Sequence, residues 1–237
     1  MVTSRIKRMS GAYRSRGPLS QARLPPGLPS LKEWFQRANL SLEDHQYKQL
    51  WMLHTLIREK NDQYDLTRIH QFDSMVQKHY IDCVLVAKLL SWNLPSPLLD
   101  IGTGAGFPGI PLKIACPGLQ LILSEGRHRR VQFLREAVKT LGLEGVTIYD
   151  HKVHASVNLN VRGVITRALE SIPKTLSRAR KSLLPGGRAI FMKGPHCDEE
   201  VRQARLHFAG EYELIQDLSY SIPRSTHHRR LILFERT

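Results

Sequence analysis

Asp100-Ile101-Gly102-Thr103-Gly104-Ala105-Gly106-Phe107-Pro108-Gly109 decides how this chain is read. It follows the apolar pair Leu98-Leu99 and leads into an apolar stretch with helical spacing over residues 110–116. That is a buried strand turning through glycines into a helix, where bare backbone N–H groups can approach a ligand that side chains would exclude. Gly102, Gly104 and Gly106 spell GxGxG; Gly104, Gly106 and Gly109 spell the dinucleotide pattern GxGxxG. Glu125 ends the next predicted strand, at a spacing that suits a ribose diol under either reading.

Outward from the loop, short strands alternate with helices. Strands are predicted over 98–101, 120–124, 146–149, 163–166, 188–193, 212–216 and 230–234, and helices over 110–116, 127–141, 172–183 and 198–208. Leu184-Pro185-Gly186-Gly187 is expected to break the chain before the fifth strand. The last two strands have no long helix between them, so the sheet should end in an antiparallel hairpin. The fold class is therefore α/β: a doubly wound, Rossmann-like, mostly parallel sheet with an antiparallel last strand.

Upstream the pattern is all helical. One helix is predicted over 31–60, with a start signal at Ser41 and Asp44, and another over 73–92. The expected organisation is a basic flexible tail over 1–30, a helical extension over 31–94 and the α/β unit over 95–237, the last two forming one compact body.

The chain has 237 residues, 35 Lys plus Arg, 21 Asp plus Glu and a net charge of +14. Its first 23 residues hold six basic side chains and no acid, leaving 29 basic and 21 acidic residues in the rest. The body is thus basic in its own right, which points to a polyanionic partner, nucleic acid foremost. No apolar run reaches the length of a membrane span. Three scattered cysteines, with no CxxC pair, argue against a disulfide framework or structural zinc and fit a reducing compartment.

Three features separate the two glycine readings. A carboxylate at Asp100 suits a cationic ligand end and would repel a pyrophosphate. The Leu184–Gly187 turn and the terminal hairpin are both frequent in methyltransferases. They favour S-adenosylmethionine, with its ammonium and sulfonium, over a nicotinamide dinucleotide.

At this point the sequence resembles the RsmG (GidB) family of bacterial 16S ribosomal RNA guanine-N7 methyltransferases, over about residues 45–236. The most specific piece is the glycine loop with its Gly106-Phe107-Pro108-Gly109 ending. Asp65-Leu66-Thr67, Lys78-His79-Tyr80-Ile81-Asp82-Cys83, Thr166-Arg167-Ala168 and Met192-Lys193-Gly194 match further family motifs. The resemblance implies a class I S-adenosylmethionine-dependent methyltransferase with a helical N-terminal extension. Its cofactor contacts carry over to Gly102, Phe107, Glu125, Val153 and His154, beside Asp100, Gly104 and Gly106 of the loop. His154 stands where the family usually has an acid.

Guanine N7 exposes its lone pair in the ring plane, so no general base is required. Arg167 and Lys193, at strand ends, are the candidate catalytic residues, with Arg167 also counted among the cofactor contacts. A planar guanidinium can hold the base in register. Cationic groups beside a sulfonium are unfavourable, so both should address the RNA. His79 reads as a buried histidine bonded to backbone or to Asp82. The expected partner is small-subunit ribosomal RNA, free or in the particle, for a cytoplasmic monomer using neither metal nor membrane. Two alternatives stay open: the same fold acting on another RNA or a small molecule, and a non-catalytic RNA-binding assembly factor.

Overall fold

The computed structural model describes residues 25–237. Most of the expected tail, residues 1–24, lies outside the described residues. Its end is corrected: helix α1 (Leu28–Arg37) already begins at Leu28. Pro29 falls in the first turn, where a missing N–H removes no helical bond, and the Ser30 hydroxyl accepts the Gly27 N–H at 2.9 Å.

The single helix expected over 31–60 is two. Asn39 takes a left-handed φ of 53° after α1, and α2 (Asp44–Tyr64) then starts where the Glu43 N–H donates to the Gln46 side chain at 2.8 Å. The start signal near Asp44 was a true boundary. The helix expected over 73–92 is interrupted as well. Helices α3 (Phe72–Met75) and α4 (Asp82–Leu89) are joined by a π-helical turn over Val76–Ile81. Such wide turns gather at functional sites.

Seven strands follow: β1 (Leu98–Ile101), β2 (Leu121–Ser124), β3 (Val146–Tyr149), β4 (Val161–Arg167), β5 (Leu183–Lys193), β6 (Tyr212–Ser221) and β7 (His228–Arg236). They lie in the order β3-β2-β1-β4-β5-β7-β6, with β7 antiparallel to both neighbours and the pairings from β3 to β5 all parallel. Helices α5 (Gly109–Ala115), α6 (His128–Thr140), α7 (Ile172–Ala179) and α8 (Asp198–His207) make the connections. Pro185-Gly186-Gly187 does not end the chain's strand character as expected. It is absorbed in β5, whose register against β4 shifts between the Val161–Leu183 and Gly163–Arg188 pairs.

Alternating strand residues feed two cores. Leu98, Ile165, Ile190, Leu231 and Leu233 face the side packed with α5, α6 and the N-terminal helices. Leu99, Val164, Phe191, Ile232 and Phe234 face α7 and α8. The period of two in the strands thus supplies both layers. The N-terminal helices share one continuous apolar core with the sheet, and Leu50, Ile57 and Val84 are wholly buried in it.

The glycine loop is built around Asp100. Its Oδ2 accepts the Thr103 hydroxyl at 2.6 Å and the Gly109 N–H at 2.8 Å, closing the loop onto the start of α5. Gly109 has no room for a side chain. A Cβ there would stand 2.5 Å from Leu123 Cδ2 and 2.8 Å from Asp100 Oδ2. Gly109→Ala is therefore expected to destabilise the fold by about 1–3 kcal/mol, read as a lowered denaturant midpoint. An unchanged midpoint would mean that the loop closes without this contact.

Candidate functional site

Two cavities open beyond the carboxyl ends of the strands and meet at Ala168 and Leu169. Ligands bind at this edge in open α/β sheets.

The smaller, of about 380 Å³, lies against the glycine loop. Gly102, Glu125 and Val153 line it, as expected from the sequence. The Glu125 carboxylate, nearly buried, accepts the Gly104 N–H at 3.1 Å and the Arg127 N–H at 2.8 Å. A carboxylate has about four acceptor sites, so two donors leave capacity for a diol. Gly102 has a φ of 71°, which bends the strand end and leaves its backbone bare at the cavity.

Other expected cofactor contacts are corrected. Asp100 does not face the cavity. It is wholly buried under the loop that it closes, and its Oδ1 has no hydrogen-bond partner. Burial pushes its carboxyl up to about 6, against the pull of the Thr103 and Gly109 donors and Arg167. Gly104 reaches the cavity only through its bond to Glu125. Gly106, at φ 91°, turns the loop and leaves space that Ile110 fills. Phe107 is buried and stacks on His79, with ring centroids 4.4 Å apart and planes 11° from parallel. His154 is exposed, and its Nδ1 sits 2.7 Å from the Ser156 hydroxyl in a surface turn. The unusual histidine there thus leaves the cavity wall intact, because Lys152 and Val153 line that point and His154 does not.

The larger cavity, of about 570 Å³, has a cationic rim from Lys78, Arg167, Lys193 and Arg229. Both catalytic candidates line it, but neither is free. Arg167 Nη1 donates to the Lys78 carbonyl at 2.6 Å, and its Nη2 stands 3.1 Å from His79 Nδ1. Its guanidinium also lies 5.3 Å over the Phe107 ring and 3.7 Å from Asp82. Of the two cavities, Arg167 lines only this one. Lys193 Nζ donates to the Glu170 carbonyl at 2.9 Å and pairs with Glu200 at 2.7 Å.

His79 differs from its expected partners too. A guanidinium can only donate, so Nδ1 accepts and the ring proton sits on Nε2, which donates to Thr67 Oγ1 at 3.0 Å. Burial and the neighbouring Arg167 pull His79 down to about 3, so it is neutral at pH 7. Thr67 and His79 come from two separate sequence motifs that meet only here. Asp82 lies wholly buried between Arg167 and Arg229, the latter at 3.6 Å, with Oδ1 accepting the Tyr220 hydroxyl at 2.9 Å. Burial raises its carboxyl, while Arg167, Arg229 and Tyr220 oppose the rise.

Residues that the sequence reading missed in the smaller cavity are Arg178, Lys152, Arg130 and Leu169. Arg178 Nη1 donates to the Val153 carbonyl at 3.0 Å, and Arg130 donates to the Asp65 carbonyl at 2.7 Å. Asp65 belongs to a motif of the sequence, but nothing local pairs it with Arg130. Cys83 and Cys197 are buried, and burial drives the Cys83 thiol to about 12, so neither suits a nucleophile. Among the described residues no group of three or more His, Cys, Asp and Glu could hold a metal, and no helix is long and apolar enough to cross a membrane.

The raised Asp100 carboxyl has a measurable sign. The folded chain holds this proton more tightly than the unfolded chain, so the Asp100 contribution favours folding below about pH 4 and is lost as pH rises to about 6. Relative to Asp100→Asn, the unmodified protein should lose about 2 kcal/mol of stability between pH 4 and 7 without ligand, measured by urea unfolding. A gain over that range would contradict its burial.

The family model described as rRNA small subunit methyltransferase G matches residues 46–228. A relative from Syntrophobacter fumaroxidans, named ribosomal RNA small subunit methyltransferase G 2, is 46% identical over 211 residues, which are 89% of this chain and 42% of that protein. This chain thus spans less than half of that relative's length. A relative of the same name from Bdellovibrio bacteriovorus is 38% identical over 87% of this chain and 80% of its own. Among solved structures, magnesium protoporphyrin IX methyltransferase from Synechocystis PCC 6803 with bound SAM superposes with a TM-score of 0.52 at 15% identity, covering 83% of this chain and 99% of that one. This likeness shows the fold, that of class I S-adenosylmethionine-dependent methyltransferases. S-adenosylmethionine is accordingly the cofactor, and Glu125, the Gly102 backbone and Val153 fit it at the smaller cavity. By the match to its family model and these identities, the chain belongs to the rRNA small subunit methyltransferase G family.

Proposed function

We propose that this chain transfers the methyl group of S-adenosylmethionine to N7 of a guanine in 16S ribosomal RNA, in the cytoplasm. The observation that carries the reading is the pair of cavities: one beside Glu125 and Gly102, the other with a cationic rim, meeting at Ala168 and Leu169. Family membership supports the small-subunit ribosomal RNA as substrate. The relatives' names give no atom, and N7 rests on the chemistry of the site and on the motif resemblance.

Bound S-adenosylmethionine supplies an electrophilic methyl group. The chain's own residues then have two tasks, to hold the cofactor and to orient the base. Glu125 accepts from a ribose diol while the Gly104 and Arg127 N–H groups fix its carboxylate. Lys78 and Arg229, on the rim of the larger cavity, meet phosphate or the O6 edge of the base. Arg167 acts as a positioning residue, because its two Nη atoms already hold Lys78 and His79 in place. Lys193 likewise braces the loop after β4 through the Glu170 carbonyl. Rate enhancement comes from orientation, with no proton to remove from N7.

Labelled S-adenosylmethionine, offered with unmethylated small subunits or their RNA, should leave label in N7-methylguanosine at one site by nuclease digestion and mass spectrometry. Label in another nucleoside would overturn the N7 reading. Glu125→Gln should weaken cofactor binding roughly tenfold by calorimetry, since a charged acceptor is lost; unchanged affinity would remove Glu125 from the site. His79 is neutral well below physiological pH. The single-turnover rate should therefore stay within about twofold from pH 6.5 to 8. An inflection in that range that His79→Gln abolishes would instead make His79 a general base.

A further inference from the structure

Leu169 lies where the two cavities meet and lines both. It is 41% exposed, among the few large apolar side chains so open to solvent in the described residues. Its neighbours on the larger cavity are mostly charged or polar, so core packing does not explain its place.

The segment that carries it is held from several sides. Ala168 turns the chain with a φ of 52°, in the region that L side chains disfavour. The Glu170 carboxylate accepts Arg178 Nε at 2.5 Å, and the Glu170 carbonyl accepts Lys193 Nζ at 2.9 Å. The Ile172 N–H donates to Glu200 at 2.8 Å, and Glu200 pairs with Lys193 at 2.7 Å. Beneath the side chain lies Gly102. A Cβ there would stand 2.5 Å from Leu169 Cδ1, so the leucine rests on bare backbone of the glycine loop.

A fixed apolar side chain between a donor cavity and a cationic acceptor cavity is suited to one kind of contact. It can press on the flat face of a heteroaromatic ring and leave the ring edge to the cationic rim. We propose that Leu169 is the packing surface for the acceptor base and sets its tilt toward the methyl donor. The inference rests on the methyl-transfer reading above. It also narrows the acceptor. A nucleophile with its lone pair in the ring plane, such as N7, keeps that edge free when the face is covered. A ring carbon that attacks through its π face would have that face blocked on the Leu169 side.

Steady-state kinetics with small-subunit RNA, at saturating S-adenosylmethionine, test the contact. Leu169→Ala and Leu169→Gln should each lower kcat/KM for RNA at least about tenfold, while Leu169→Met retains most of it. If saturating cofactor restores either variant fully, Leu169 is only a wall of the cofactor cavity and the proposal fails. A second measurement does not depend on turnover. In Leu169→Cys, made together with Cys116→Ser because Cys116 is partly exposed, the new thiol stands at an exposed position, whereas Cys83 and Cys197 are buried. Bound RNA should slow its alkylation at least about tenfold, and an unchanged rate overturns the contact. Protection by RNA in a protein that transfers no methyl group to it would retain the contact and fail the functional reading instead.

Discussion

The guanidinium of Arg167 is the tie on which the site depends. It sits at the carboxyl end of β4, yet its bonds run to the π-helical turn of the N-terminal helices, at the Lys78 carbonyl and His79. A planar cation with donors in a fixed fork holds both at once through two separate nitrogens, a geometry that a single ammonium nitrogen does not offer. The Phe107 ring lies beneath it and stacks on His79, so the glycine loop is joined to the same cluster. Asp82, buried between Arg167 and Arg229, balances the charge. Removing one partner of such a buried set leaves the rest uncompensated. The helices before β1 are thus one wall of the larger cavity, joined to the sheet by charge as well as by the apolar core.

The cations of the larger cavity differ in how they are held. Arg167 and Lys193, which stand nearest the strand ends, are bonded to carbonyls and carboxylates. Among the described residues Lys78 stands on the rim without such a bond to a carboxylate, and Arg229 stands 3.6 Å from Asp82. Asp100 serves the loop in a similar indirect way: one oxygen holds Thr103 and Gly109, the other stays unpaired in the core.

Most of the fold was legible because its signals are local. The Leu98–Ile101 strand, the glycine loop and the alternation along β5 and β7 each declare themselves within a few residues, and the terminal hairpin follows from a missing helix. Boundaries failed where a single residue decides them. Asn39 splits the first helix, and the glycines at 186 and 187 fit within a bulged strand. The site was legible in its residue types but not in their roles. Glu125 and Gly102 face the cavity as spacing implies, whereas Phe107, His154 and Asp100 do not. Spacing places a residue near a loop, but burial decides which way its side chain faces. Arg178, Leu169 and the Thr67–His79 bond depend on contacts between distant segments, which no local pattern carries.

The central claim is that Arg167 builds the acceptor cavity and leaves the cofactor cavity untouched. The most direct measurement is methyl transfer and cofactor affinity for Arg167→Lys, which keeps the charge and removes the fork. The account predicts a loss in kcat/KM for RNA of at least about tenfold, with S-adenosylmethionine affinity within about twofold of the unmodified protein. Full activity in this variant, or a loss confined to cofactor binding, would contradict it.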